Sequence, residues 1–330
     1  TQAANSEAGG TIGGPLTVEV RDSSGNLVTS STASITVAIG SNPGGGVLSG
    51  TTVKNAAAGI ATFDYLSISQ AGNGYTLALT SAGLTGATSN VFNLSQPAGN
   101  INFGQTVATA TATTAGTSTV LTVPAAGVAA GQSIIATLAM NPATGTVSCT
   151  DTAGNAYGSD ADIVNGSATT GVRTVVLSTH NNLALSSGHT ITCTHPSVTA
   201  RALSANVFAG LAGTGAKDKS ASATGTSTAP SSGATATTAQ PVELIFGAIG
   251  VEGPSTETFT PGASYTVAGR AGTSGGTAPT NITINPEYRI VSGIDAYAAT
   301  GTLSVSRRWA AAIVTYKAGL PSATKLVMTS

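Results

Sequence analysis

The chain has 330 residues, only 8% of them charged where an average soluble domain carries about 25%, and its formal charge of −1 with no basic cluster argues against nucleic acid as a partner. About 90 residues are Ser or Thr and 42 are Gly, while strong helix formers other than Ala are scarce, which argues against an all-α protein and a doubly wound α/β enzyme. No apolar run approaches the ~20 residues of a membrane-spanning helix. A hydrophobic content of 41% still supplies a globular core, and the length predicts two domains.

Residues 11–95 read as short strands at regular turn intervals, the pattern of a β-sandwich. Leu16–Val20 alternates, the turn Asp22-Ser23-Ser24-Gly25-Asn26 follows, and Leu27–Thr29 resumes. Ser34–Ile39 places Ile35, Val37 and Ile39 on one face, and Asn42–Gly46 is a loop because three successive glycines cannot hold a strand. Gly59–Phe63, Leu66–Ile68, Tyr75–Thr80 and Ser89–Leu94 complete the unit.

The series LTVEVRDSSGN, SITVAIG, GIATFDYLSI and GNGYTLALTSAGLTGATSNVFNLS resembles the immunoglobulin-like repeats of large secreted bacterial surface proteins. The likeness covers residues 1–95 and implies a spacer or presentation module without catalysis. Such repeats open with a strand of the type Lys-Leu-x-Phe-Thr. Here the chain starts at Thr1-Gln2-Ala3-Ala4-Asn5, so the sandwich is expected to lack that first strand. A matching stretch stands at the other end, within 324–330, where Lys325, Leu326, Val327, Met328 and Thr329 form the expected assembly strand. Either the chain is one unit of a covalent tandem array, or the C-terminal strand of one copy completes the sandwich of the next. The plainer alternative is a tail that frays or packs on its own domain.

After a linker at 96–100, residues 101–318 read as a larger jelly-roll-like domain of two sheets, similar to jelly-roll modules of bacterial secreted proteins, followed by the tail 319–330. Thr119–Val123, Ser133–Leu138, Thr174–Leu177, Leu203–Phe208, Val242–Ile249, Asn281–Ile284, Tyr288–Val291 and Trp309–Tyr316 are its main strands, with the Trp309 strand central and buried. A split into two smaller sandwiches near 215–240 is the alternative, and Ser220–Gln240 reads as an exposed strand or a linker. Cys149 and Cys193 lie in β-patterned stretches and permit one bridge, which an oxidising compartment favours over two buried thiols.

Chemistry-bearing residues are sparse. His180, His189 and His195 invite a metal reading, but the flanking Gly188 and Pro196 place them at strand ends, as surface or turn histidines. Glu243, Glu252, Glu257 and Glu287 are the carboxylates of the larger domain, and no spacing forces a glycosidase-type pair, so solvated turn positions are expected. The repeated Asp22-x-x-Gly25-Asn26 and Asp151-x-x-Gly154-Asn155 read as structural turns rather than calcium loops. Trp309, Tyr316, Tyr288, Tyr297, Tyr265 and Tyr157 are the aromatic material for sugar stacking, with core packing of Trp309 beside Arg307-Arg308 the simpler reading. No catalytic, cofactor or metal residue is assigned. The sequence thus predicts a non-enzymatic, extracellular, all-β subunit of a fibre or surface appendage that partners further copies of itself. The alternative is a glycan-binding adhesive module on an immunoglobulin-like spacer.

Overall fold

The computed structural model describes residues 2–69, 72–95 and 101–319. The chain divides into two compact units, Thr1–Pro97 and Ala98–Ser330. Both are β throughout; the single helical element among the described residues is a 3-10 turn at Ala278–Thr280, and no described helix is long and apolar enough to cross a membrane. The expected linker 96–100 and residues 320–330, with the assembly strand Lys325–Thr329, lie outside the described residues.

The N-terminal unit is a sandwich of short strands. One side carries Ala87–Thr88, Leu77–Thr80, Ser34–Ile39 and Val53–Asn55 in that order. The remaining pairs are Leu16–Glu19 with Ile60–Phe63, Leu48–Gly50 with Leu66–Ile68, and Phe92–Ser95 between Ser6–Glu7 and Gly72–Tyr75. Ser6–Glu7 runs parallel to its partner, with Ser6 opposite Leu94. Alternation decides which side chains enter the core: Ile35 and Val37 from one strand, Ala61 and Phe63 from another, meeting Tyr75, Leu77, Phe92 and Leu94. The turn at Asp22 forms as expected. Its Oδ1 accepts the backbone N–H groups of Ser24 and Asn26, each at 2.9 Å, and Gly25 adopts the positive φ of 84° that the turn requires.

The C-terminal unit differs from the two-sheet expectation: it consists of two lobes with four sheets. In the first lobe the large sheet runs Asn102–Ala112, Arg201–Ala209, Ser133–Met140, Thr170–His180, Gly158–Ser167, and the small sheet runs Gly116–Thr122, Thr190–Val198, Ser148–Asp151. Counted within the lobe, these orders are first-eighth-third-sixth-fifth and second-seventh-fourth, a jelly-roll arrangement. The second lobe repeats it. Its large sheet runs Lys217–Ser227, Arg307–Lys317, Val242–Glu252, Ile282–Ser292, with Thr266–Val267 and Ala271–Gly272 on the last of these. Its small layer joins the extended segment 231–238 to 295–300 through Ser232 N–H to Ala299 O (2.9 Å), Thr235 N–H to Tyr297 O (2.9 Å) and Thr238 N–H to Asp295 O (3.0 Å). The same layer continues as Gly301–Leu303 paired with Phe259–Pro261. Ser220–Gln240, read as strand or linker, supplies both an edge strand and this extended cover.

The two large sheets pack face to face and reciprocally. Gly158–Ser167 of the first lobe lies over Lys217–Ser227 and Arg307–Lys317 of the second, while Ala271–Gly272 lies over Asn102–Ala112 and Arg201–Ala209. Burial on both faces explains the near-continuous apolar runs. In Ser133–Met140, Ile134, Ala136, Leu138 and Met140 face the first-lobe interior, whereas Ile135 and Ala139 face the opposing sheet. In Val242–Glu252, Leu244, Phe246 and Ala248 point between the lobes, and Ile245, Ile249 and Val251 point outward into the second-lobe interior. The final strand is central and buried, as expected; Trp309 is 7% exposed and its indole N–H donates to Ser227 Oγ at 3.1 Å.

Cys149 and Cys193 are register partners on the small sheet of the first lobe and form a disulfide, with Cα atoms 4.1 Å apart.

Candidate functional site

Among the described residues, two cavities adjoin side chains that the fold leaves partly exposed or unpaired. The first lies in the N-terminal sandwich. Leu16, Val18 and Val20 alternate inward from their strand; Leu16 and Val20 are buried, but Val18 is only half-buried. Across from them, Leu79 is half-buried and Leu84 is 44% exposed. With Ile35, the residues Val18, Val20, Leu79 and Leu84 line a cavity of about 430 Å³ rimmed by Glu19, Arg21 and Asp22. Arg21 Nε donates to Glu19 Oε2 at 2.8 Å, so the rim charges pair with each other beside the partly exposed Val18, Leu79 and Leu84. Core residues of a sandwich are normally covered from both sheets; here Val18, Leu79 and Leu84 stay partly exposed above the buried Val20 and Ile35.

The second place is the interior of the second lobe, which is more polar than a sandwich core usually is. Glu243, Glu287 and Arg289 project on the outward side of the large sheet, between it and the small layer. Glu243 and Glu287 are fully buried, which overturns the expectation that they are solvated turn residues. The covering loop is the reason. Ala299 packs so tightly over Gly247, beside Glu287, that a Cβ on Gly247 would lie 2.6 Å from the Ala299 methyl and 2.9 Å from Glu287 Cγ. Burial raises the Glu287 pKa to about 7, against the pull of the Gly262 and Thr300 backbone N–H groups. Burial does the same for Glu243, also to about 7, with the neighbouring Asp218 carboxylate adding to the rise. The Thr315 hydroxyl and Asp218 face Glu243 without closing a well-formed hydrogen bond, and both its oxygens lack a partner among the described residues. Burial would raise Asp218 too, but the Ala239 N–H at 2.6 Å and the Lys219 ammonium at 3.0 Å outweigh it and hold Asp218 below the usual range. Of the remaining carboxylates, Glu252 is buried and accepts the Gly171 N–H across the lobe interface at 2.7 Å, and Glu257 pairs with Arg307.

Arg289 carries the cation–π contacts of this region: its guanidinium carbon lies 5.5 Å from the Tyr265 ring centroid and 4.9 Å from that of Tyr297. The expected pairing of Trp309 with Arg307 or Arg308 is not among the cation–π contacts of the described residues, because Arg307 is drawn to Glu257. A cavity of about 480 Å³ opens beside Arg289, lined among others by Ser264, Thr266, Ser292, Gly293 and Tyr297.

The histidines do not converge. His195 is buried, 3% exposed, and contradicts its assignment to the surface: its Nδ1 contacts Pro196 O at 2.8 Å and its Nε2 contacts Thr119 Oγ1 at 3.1 Å. His180 is half-buried, with Nδ1 2.9 Å from Ser133 Oγ and Nε2 2.9 Å from Ser178 Oγ; Ser178 Oγ in turn donates to Asp160 Oδ2 at 2.5 Å. This Ser-His-Ser-Asp chain has the residue types of a nucleophilic relay, but Ser133 is 2% exposed and presents no hydroxyl to a substrate. Burial lowers the pKa of both His180 and His195. The described residues hold no cluster of three or more His, Cys, Asp or Glu of metal-binding geometry. The Asp151 turn is closed like that at Asp22: Oδ1 accepts the Ala153 and Asn155 backbone N–H groups, and Oδ2 accepts Tyr157 O–H at 3.1 Å.

No protein-family model and no curated protein matches the chain.

Proposed function

We propose that the protein is a non-enzymatic, extracellular structural module whose N-terminal sandwich is completed by a strand with the pattern of Lys325–Thr329 from another copy. The observation that carries this reading is the groove between Val18 and Val20 on one side and Leu79 and Leu84 on the other, with Ile35 also lining it. An added strand offers alternate side chains at the spacing that such a groove accepts. Leu326 and Met328 point to the same side of an extended chain, and covering each contributes roughly 1.5–3 kcal/mol. The near-absence of net charge lets copies approach closely. The disulfide suits an oxidising exterior.

The seat is filled equally by a separate molecule, giving a filament, or by the preceding copy in a covalent tandem. A chain ending at Gly319 and a two-copy fusion in which Ser330 continues into Thr1 test this together. The truncated chain is expected to show a less stable N-terminal unit that a synthetic peptide of residues 324–330 restores. In the fusion, the second sandwich is expected to melt higher than the first. If truncation leaves the N-terminal transition unchanged and the peptide does not bind, the reading fails.

A further inference from the structure

We propose that the cleft beside Arg289 in the second lobe is a binding site for a carboxylate-bearing sugar unit, a hexuronate of an acidic polysaccharide. This inference stands apart from the strand-completion reading, since it concerns a different unit and needs no second copy.

The guanidinium of Arg289 lies beside two tyrosine rings whose hydroxyls are tethered. Tyr265 O–H donates to Ala298 O at 2.9 Å, and Tyr297 O–H donates to Gly293 O at 2.6 Å. Among the described residues, Arg173, Arg21 and Arg307 each pair with a carboxylate, whereas none forms an ion pair with Arg289. Three acids stand around the two tyrosines: the exposed Asp295 acts on Tyr297, and Glu287 and Glu243 lie in the lobe interior. Glu287 and Glu243 project on the same side of the sheet, but both are fully buried and pushed toward the neutral acid. The site therefore places a planar cation, stacked beside Tyr265 and Tyr297 and bonded to the latter, on the wall of a cavity without a carboxylate partner among the described residues.

Guanidinium geometry selects the ligand. Its fork matches a carboxylate through two parallel hydrogen bonds, and a pre-positioned fork loses little freedom on binding. The rest of the wall points to a hydroxyl-rich ring rather than a peptide, because Ser264, Thr266 and Ser292 contribute hydroxyl-bearing side chains. Ser264 is kept at a φ of +68°, a left-handed conformation in which glycine is the ordinary occupant. Such strain persists where surrounding structure requires it and recurs at ligand clamps. A volume of about 480 Å³ accommodates one ring and its neighbours in a chain.

The test titrates the full chain with glucuronate, with glucose and acetate as controls, followed by amide chemical shifts or tyrosine fluorescence. Glucuronate is expected to saturate the site, and neither control to match it. Arg289→Gln should weaken binding about tenfold or more, and Arg289→Lys should fail to restore it, because an ammonium lacks the fork. Should the arginine variants fail to fold, Thr266→Val on its short exposed strand should still reduce affinity several-fold. Failure of glucuronate to saturate, equal binding of acetate or glucose, tighter binding of a glutamate-ended peptide, or undiminished affinity in Arg289→Gln would each overturn the assignment.

Discussion

Cys149 sits directly opposite Cys193 on the neighbouring antiparallel strand, and the paired strands of the second lobe's small layer set Phe259 opposite Leu303. One lobe closes its small sheet covalently and the other by apolar contact, since Phe259 and Leu303 pack with Ile249, Val251 and Trp309. The bridge spans 44 residues of sequence. A cross-link over a loop of that length restricts the unfolded chain by roughly 4 kcal/mol in the chain-entropy account. Cys193→Ser is therefore expected to lower the unfolding free energy of the C-terminal unit by about 2–4 kcal/mol. Denaturant titration with and without reductant measures it: reductant should reproduce the loss in the parent chain and do nothing further to the variant.

The buried carboxyls of Glu243 and Glu287 make the C-terminal unit sensitive to alkali rather than acid. Both have folded-state pKa values near 7, above the ordinary value of 4.5. A carboxyl raised in this way contributes stability fully below its unfolded pKa and loses it as pH rises through the folded one. The C-terminal transition should therefore fall by several degrees between pH 5 and pH 8. Glu287→Gln should abolish part of that slope, leaving the melting temperature at pH 5 nearly unchanged and raising it at pH 8. A melting temperature that climbs from pH 5 to pH 8 in the parent chain would contradict the assignment.

The lobe interface has its own requirement at Gly250. A Cβ there would lie 2.0 Å from Thr174 Oγ1 and 3.1 Å from Val172 Cγ2, so the two large sheets approach too closely for any side chain. Thr174 Oγ1 is not free to move, because it donates to Ala310 O at 2.8 Å across the interface. Gly250→Ala is expected to destabilise the C-terminal unit by about 1–3 kcal/mol. Thr174→Ala in the same chain should recover part of the loss, giving a non-additive double-mutant cycle. Additive losses would show that the two residues do not share the contact.

Much of this architecture was legible in local pattern. Alternation in Leu16–Val20 and Ser34–Ile39 marked strands with one apolar face, and the apolar stretch 242–249 marked a main strand of the larger domain. Cys149 and Cys193 were read as neighbours because each stood in a strand. What escaped was set by distant chain segments. Glu287 looked solvated because nothing near it announces that residues 295–300 fold over Gly247. His195 looked like a turn residue because the Pro196 beside it hides a strand that continues to Val198. The repeated strand order was obscured because the small layer of the second lobe carries no cysteine pair. It was obscured again where that lobe builds its small layer from 231–238, an Ala/Thr/Ser segment held mainly by backbone hydrogen bonds and without an apolar period. The groove at Val18 was not marked by any local pattern, because Val18 and Leu84 come from segments far apart in the chain.

Leu84 offers the cleanest separation between folding and assembly in that groove. It is 44% exposed, so its side chain contributes little to the folded unit by itself. Leu84→Ser should therefore shift the N-terminal transition by no more than about 0.5 kcal/mol. A strand seated between Val18 and Leu84 would cover the leucine, and losing that contact should weaken binding of the 324–330 peptide by roughly tenfold or more, given about 1.5–3 kcal/mol for a buried leucine. Val18→Asp should remove binding altogether, since a carboxylate would be buried without a partner beneath the added strand. Isothermal titration of the chain ending at Gly319 reads both effects. If Leu84→Ser lowers the melting temperature as much as it lowers peptide affinity, the residue belongs to the unit's own core. Unchanged peptide affinity in both variants would remove the groove as the seat.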